Sequence, residues 1–172
     1  MNEEELKAVL EQHHTAGYGW ALSCCRGNHA EAEDVLQTVY LKILEGRARY
    51  AGRAAFRTWF FAVIRNTAAD ERRKQALRRL RLLAAHERQA IEEPPMTPVQ
   101  EAAPSPIPEL VRTALTKLSP RQRQVLELVF SHDCTLQEAS DIMGISIGSV
   151  RTHYERGKQT IRQWMTVQGV ER

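Results

Sequence analysis

The sequence predicts an all-α protein: two small helical domains, the second a helix-turn-helix domain, joined by a Pro-rich linker. Three observations predict it. Apolar residues recur at helical spacing through long blocks of the chain. No alternating strand pattern of any length occurs. Six of the seven prolines, Pro94, Pro95, Pro98, Pro104, Pro106 and Pro108, fall within residues 91–108. Proline removes a backbone donor and pushes its predecessor out of the helical region, so this span reads as an extended linker. The expected boundaries are 1–90 for the first domain, 91–109 for the linker and 110–172 for the second domain.

Taken in order, Leu6, Val9 and Leu10, then Tyr18, Trp20, Ala21 and Leu22, give helical spacing to the first stretch, which a turn at Arg26-Gly27-Asn28 ends. In the next helix Val35, Leu36, Val39, Tyr40, Ile43 and Leu44 form one 3.6-residue stripe. Its other face carries Glu33, Asp34, Gln37, Thr38, Leu41 and Lys42, and Gly46 stops it. A basic loop, Arg47–Ala55, leads into a third helix with the stripe Phe56, Trp59, Phe60, Val63, Ile64 and Thr67. That helix is expected to continue past a break near Asp70.

The last third is expected to hold three helices. Ser119-Pro120-Arg121-Gln122 is a capping box with proline at the first helical position, opening a helix to about Phe130. Thr135-Leu136-Gln137-Glu138 is a second capping box, opening a short helix that stops at Gly144. Ile145 makes the turn, Ser146 caps again, and a helix runs from about Ile147 to Met165. Helix, short turn, helix is the arrangement that sets a second helix into the major groove of DNA.

Charge is unevenly spread. The net charge is only +3, yet residues 1–45 carry eight acidic and three basic groups, while residues 46–89 carry twelve basic and three acidic. Residues 90–111 are again acidic. A basic segment between acidic ones points to a polyanion for the middle of the chain and a different partner for the front.

Two helix faces fit that polyanion. Arg57, Phe61, Arg65 and Arg72 are left over from the apolar stripe of the third helix. An exposed ring among arginines can stack an unpaired base, worth ~1–3 kcal/mol, while the cations neutralise phosphate. On the last helix Val150, Tyr154, Gly157, Ile161 and Trp164 face the core. The opposite ridge is Arg151, Thr152, Glu155, Arg156 and Gln159, side chains that reach phosphates and base edges.

Other chemistries find little support. No apolar run approaches the ~18 residues of a membrane span, and the start, MNEEEL, lacks a signal-peptide core. Three cysteines make a disulfide framework improbable, and a reducing cytoplasm is the expected home. Cys24-Cys25 with His13-His14 lacks metal-ligand spacing, so buried small residues and ordinary histidines are expected there. His132-Asp133-Cys134 is too local in sequence to converge as a nucleophilic triad and reads as a loop. No enzymatic activity, metal or cofactor is expected.

With both halves in hand, the chain resembles the bacterial sigma-70 family of RNA polymerase sigma factors, in its extracytoplasmic-function (ECF) group. AEDVLQTVYLKIL resembles the family's AEDLVQETFLRLW segment, and FRTWFFAVIRNTAADERRK its FRTWLYRIARNLALDLLRR segment. LSPRQRQVLELVF and TLQEASDIMGISIGSVRTHYERGKQTIR are similar to its C-terminal segments. The resemblance implies a promoter-specificity subunit whose partners are core RNA polymerase, promoter DNA and an anti-sigma factor. It implies polymerase binding through Asp34, Leu36, Gln37, Thr38, Leu41 and Lys42. It implies minus-10 recognition and melting through Arg47, Arg49 and Arg53 of the loop and through Phe56, Arg57, Thr58, Phe61, Arg65, Asn66 and Asp70. It implies minus-35 recognition through Ser149, Arg151, Thr152, His153, Glu155 and Arg156. This chain departs from the family at Thr38, where glutamate is usual, at Phe61, commonly tyrosine, at Ala62, commonly arginine, and at Glu155.

Overall fold

The computed structural model describes residues 3–86 and 109–167, and among them every regular element is α-helical. The helices are α1 (Glu3–Cys24), α2 (His29–Leu44), α3 (Phe56–His86), α4 (Glu109–Thr116), α5 (Pro120–Phe130), α6 (Leu136–Met143) and α7 (Ile147–Val167). The expected linker, up to residue 108, lies outside the described residues, and Glu109 opens α4. The chain forms two compact units: Met1–Ala16, Tyr50–Ala62 and Pro104–Arg172 in one, Gly17–Arg49 and Val63–Ala103 in the other. Helices α1 and α3 each contribute to both.

The unit containing α2 is organised around that helix's stripe. Val35, Leu36, Val39 and Ile43 are buried, as are Trp20, Ala21 and Cys24 from α1, Cys25 just after it, and Ile64, Thr67 and Ala68 from α3. Each large side chain so buried contributes ~1.5–3 kcal/mol. The turn between α1 and α2 places Arg26 (φ 58°) and Gly27 (φ 87°) in the left-handed region. Asn28 then caps α2, its side chain accepting from the Glu31 N–H. Two polar ties cross the unit: Lys42 Nζ donates to Thr67 Oγ1 (3.0 Å), and the Arg72 guanidinium donates to the Cys24 carbonyl.

In the other unit α5, α6 and α7 close a core of Val125, Leu126, Leu128, Ala139, Ile142, Met143 and Val150, with Ala114 and Leu118 from the α4 segment. Both expected capping boxes are present, at Ser119/Gln122 and Thr135/Glu138. Gly144 ends α6 in the left-handed conformation (φ 60°). Gly157 serves close packing: a Cβ there would lie 2.9 Å from Leu126 Cδ1, so a larger residue would require the Leu126 side chain to shift where α7 meets α5.

Two expectations need correction. Helix α3 runs unbroken through Asp70 for 31 residues. Beyond Ala68 its side chains lose burial but not helicity, and Asp70–Arg73 (2.8 Å) and Glu71–Lys74 (2.7 Å) pairs at i,i+3 occupy the acidic groups that would otherwise compete for backbone. Among the described residues a further helix, α4, precedes the three expected ones. It lacks a capping signature, and its apolar residues Leu110, Val111, Ala114 and Leu115 were the available signal.

Candidate nucleic-acid interface

Helix α7 turns its charged ridge outward as its spacing requires. Val150 and Gly157 are buried, while Arg151, Thr152, Glu155 and Arg156 are exposed and His153 is half-buried. Ser149 is exposed too, but its N–H donates to Ser146 Oγ (3.2 Å) and the two hydroxyls share a hydrogen bond (2.9 Å), so it serves the start of the helix. The Thr152 hydroxyl donates to the Gly148 carbonyl (2.9 Å). Glu155 faces Lys158 at 3.7 Å, and that ammonium also sits 4.7 Å over the Tyr154 ring, which in turn stacks on Phe130. Arginines, a threonine methyl and a carboxylate along one helix face are groups that engage phosphates and major-groove base edges.

The loop and the first turns of α3 differ from expectation. Phe61, expected as an exposed ring, is fully buried, with its edge-on partner His132 at 4.9 Å between centroids. The reason is that this end of α3 is covered on two faces. Thr58 is also buried, and Arg57 pairs with Glu138 of α6 at 3.8 Å. The single-stripe reading allowed for only one covered face. Phe56, likewise assigned to DNA, is half-buried in an aromatic cluster: Tyr50 (5.3 Å), Trp59 (5.2 Å), Phe60 (6.0 Å) and His13 (5.5 Å) surround it. Tyr50 was not anticipated. Its hydroxyl donates to the Ala54 carbonyl at 2.6 Å and ties the loop across its own span; an aromatic amid arginines, glycine and alanines was the available signal.

Of the remaining residues assigned to minus-10 DNA, Arg53 is exposed in this same unit. In the other unit Arg47 pairs with Glu45, Arg49 Nε donates to the Gly46 carbonyl (3.1 Å), Arg65 is half-buried, Asn66 is exposed and Asp70 pairs with Arg73.

Around His132 the charges bias protonation. Its pKa is lowered, first by burial and then by Arg57, with Asp133 opposing. Glu138 is held below its usual value chiefly by the Thr135 backbone N–H, with Thr135's hydroxyl and Arg57 assisting against burial. His13 is lowered by burial and Arg57.

The α2 face is a groove of about 310 Å³. Glu31, Asp34, Gln37, Thr38 and Leu41 line it from α2, Ala68, Glu71 and Arg72 from α3, and Cys25 from the turn after α1. Leu41 is 54% exposed and gives the groove an apolar side chain open to solvent. Leu36, assigned to the same face, is buried in the core instead (3% exposed), in line with its place in the apolar stripe beside Val35 and Val39. Lys42 points to Thr67 rather than into the groove. The three thiols are free and buried, and burial raises Cys25 to about 11. No described helix is long and apolar enough to cross a membrane.

Comparison with known proteins accounts for both halves. Residues 9–78 match the model of sigma-70 region 2, and residues 109–161 match that of sigma-70 region 4. The chain is 26% identical over 95% of its length to the ECF RNA polymerase sigma factor SigX of Bacillus subtilis, covering 84% of that protein. It is 32% identical over 79% of its length to the RNA polymerase sigma factor CarQ of Myxococcus xanthus, covering 75% of it. Its fold matches the sigma factor RpoE of Bartonella quintana, solved in complex with the anti-sigma factor NepR, with a TM-score of 0.67 at 22% identity over 95% of this chain and 98% of that one. A reader helix behind a glycine turn, a basic loop opening α3 and these matches over both halves lead to one conclusion: the chain belongs to the sigma-70 family of RNA polymerase sigma factors, in its extracytoplasmic-function group.

Proposed function

We propose that residues 1–90 bind the polymerase clamp and open the minus-10 element, that residues 91–109 link the two domains, and that residues 110–172 read the minus-35 element as duplex. The observation that carries this reading is the exposed ridge Arg151, Thr152, Glu155 and Arg156, on a helix set by three successive caps at Ser119, Thr135 and Ser146. The α2 groove is the polymerase site. Asp34, Glu31 and Glu71 give it acidic rims and Leu41 an exposed apolar anchor, which suits a basic, partly apolar helix of the clamp. Arg47, Arg49, Arg53 and Arg57 neutralise phosphates at the minus-10 element, with Arg65, Asn66 and Asp70 further along α3. Phe61 receives an unpaired base only after His132 leaves its ring.

Opening DNA costs ~1.4 kcal/mol of stacking per base-pair step, which ring stacking and phosphate contacts offset. Control by an anti-sigma factor is part of the proposal. RpoE is solved with NepR bound, and the groove on α2 gives such a partner a place from which to exclude polymerase. The reaction chemistry of RNA synthesis then belongs to the polymerase, and this chain supplies recognition.

The test is transcription in vitro with core polymerase. The purified chain should co-elute with core and direct initiation from a promoter of its own genome. A chain that does neither overturns the reading.

A further inference from the structure

We propose that Thr152 reads a thymine in the minus-35 element through its methyl group, and that its hydroxyl takes no part as a donor. The inference rests on the minus-35 reading above. A threonine hydroxyl has a single proton to donate, and in Thr152 it is given to the Gly148 carbonyl at 2.9 Å. That excludes donation to the purine N7 or O6 or to thymine O4. The groups left to face a groove are the γ-methyl and an oxygen that can only accept.

Thr160 and Thr166 make the same bond to the carbonyl four residues back, at 2.9 and 3.0 Å, so this is the resting geometry of threonine on α7. Only Thr152 of the three lies in the N-terminal turns, the part of a reader helix that meets base edges. It is exposed, next to Arg151 and one turn before Glu155 and Arg156. Arginines there supply phosphate or guanine contacts, so the position between them is left with apolar complementarity. In the major groove the one apolar feature that distinguishes a base is the C5-methyl of thymine.

The experiment uses the full chain with core polymerase and a minus-35 duplex selected by that holoenzyme from a randomised library. Each thymine is replaced in turn by uracil, which removes only the C5-methyl. One position should weaken about fourfold, the worth of one buried methyl carbon at ~0.8 kcal/mol. T152S, which keeps the back-bonded hydroxyl and loses the methyl, should bind thymine and uracil equally at that position. T152V, which keeps a methyl and loses the hydroxyl, should still discriminate.

The proposal is overturned if the selected element contains no thymine, if no uracil substitution matters, if T152S still discriminates, or if T152V does not. In the last case the oxygen, accepting from an adenine or cytosine amino group, is the reading atom. Failure of the underlying reading is separately visible as a holoenzyme that selects no minus-35 sequence at all.

Discussion

Phe61 is the residue at which sequence and structure diverge most usefully. Its flanking arginines suggested an outward ring, and its sequence neighbours could not reveal the cover, which comes from His132, more than seventy positions on. Burial of this kind is a property of the fold and not of a helical wheel. F61A is therefore expected to cost about 3–5 kcal/mol in urea unfolding, as truncation of a fully buried phenylalanine does. A loss under 1 kcal/mol would mean that the ring is not enclosed in solution. His132 carries a pH dependence of definite sign. Its folded pKa lies below the ordinary 6.5, so its contribution is fully present above 6.5 and is lost as pH falls through the folded value. Arg57 and Asp133 are the charges that act on it, and Glu138, which pairs with Arg57 and is also lowered, acts in a separate and more acidic window, below its ordinary 4.5. Urea midpoints at pH 5 and pH 7 should lie closer together in H132Q than in the unaltered chain.

At the scale of elements, the best-read parts were those whose signals are local. The capping boxes at Ser119 and Thr135, the stop at Gly144 and the cap at Ser146 involve residues three to five apart, and all four stand where the sequence puts them. Removing the Thr135 side chain (T135A) should cost about 1 kcal/mol of stability, measured by chemical denaturation, since the Glu138 N–H loses its acceptor and the Glu138 carboxylate loses the hydroxyl that donates to it, while the backbone N–H of residue 135 still reaches that carboxylate. Less legible were elements without such punctuation. Helix α4 has no cap to announce it, and α3 changes from buried to exposed at Asp70 without ceasing to be a helix. Leu36 marks the same limit in α2. Its spacing puts it in the apolar stripe while the resemblance puts it on the outward face, and its burial agrees with the stripe. The outward ridge of α7, by contrast, followed directly from its spacing. R151A together with R156A should flatten the dependence of log affinity on log salt by ~1.8 if both arginines contact phosphate. A base-reading arginine would instead change sequence preference with a smaller change in slope, and titrations of duplex binding across a salt series separate the two.

For the whole molecule, charge is arranged by segment: acidic from 1 to 45, basic from 46 to 89, acidic again to 111. That order was fully readable beforehand, whereas the sharing of α1 and α3 between two compact units had no signal in the sequence. Cysteine placement follows the same division. Cys24 and Cys25 are buried in one unit and Cys134 in the other. Each thiol can meet an aqueous disulfide reagent only when its own surroundings open, so modification rates become a clock for local unfolding. The chain thus carries built-in reporters of both units with no label added. If the units open independently, a denaturant series will give the Cys24/Cys25 pair and Cys134 different opening free energies; if they open together, the three labelling curves will coincide.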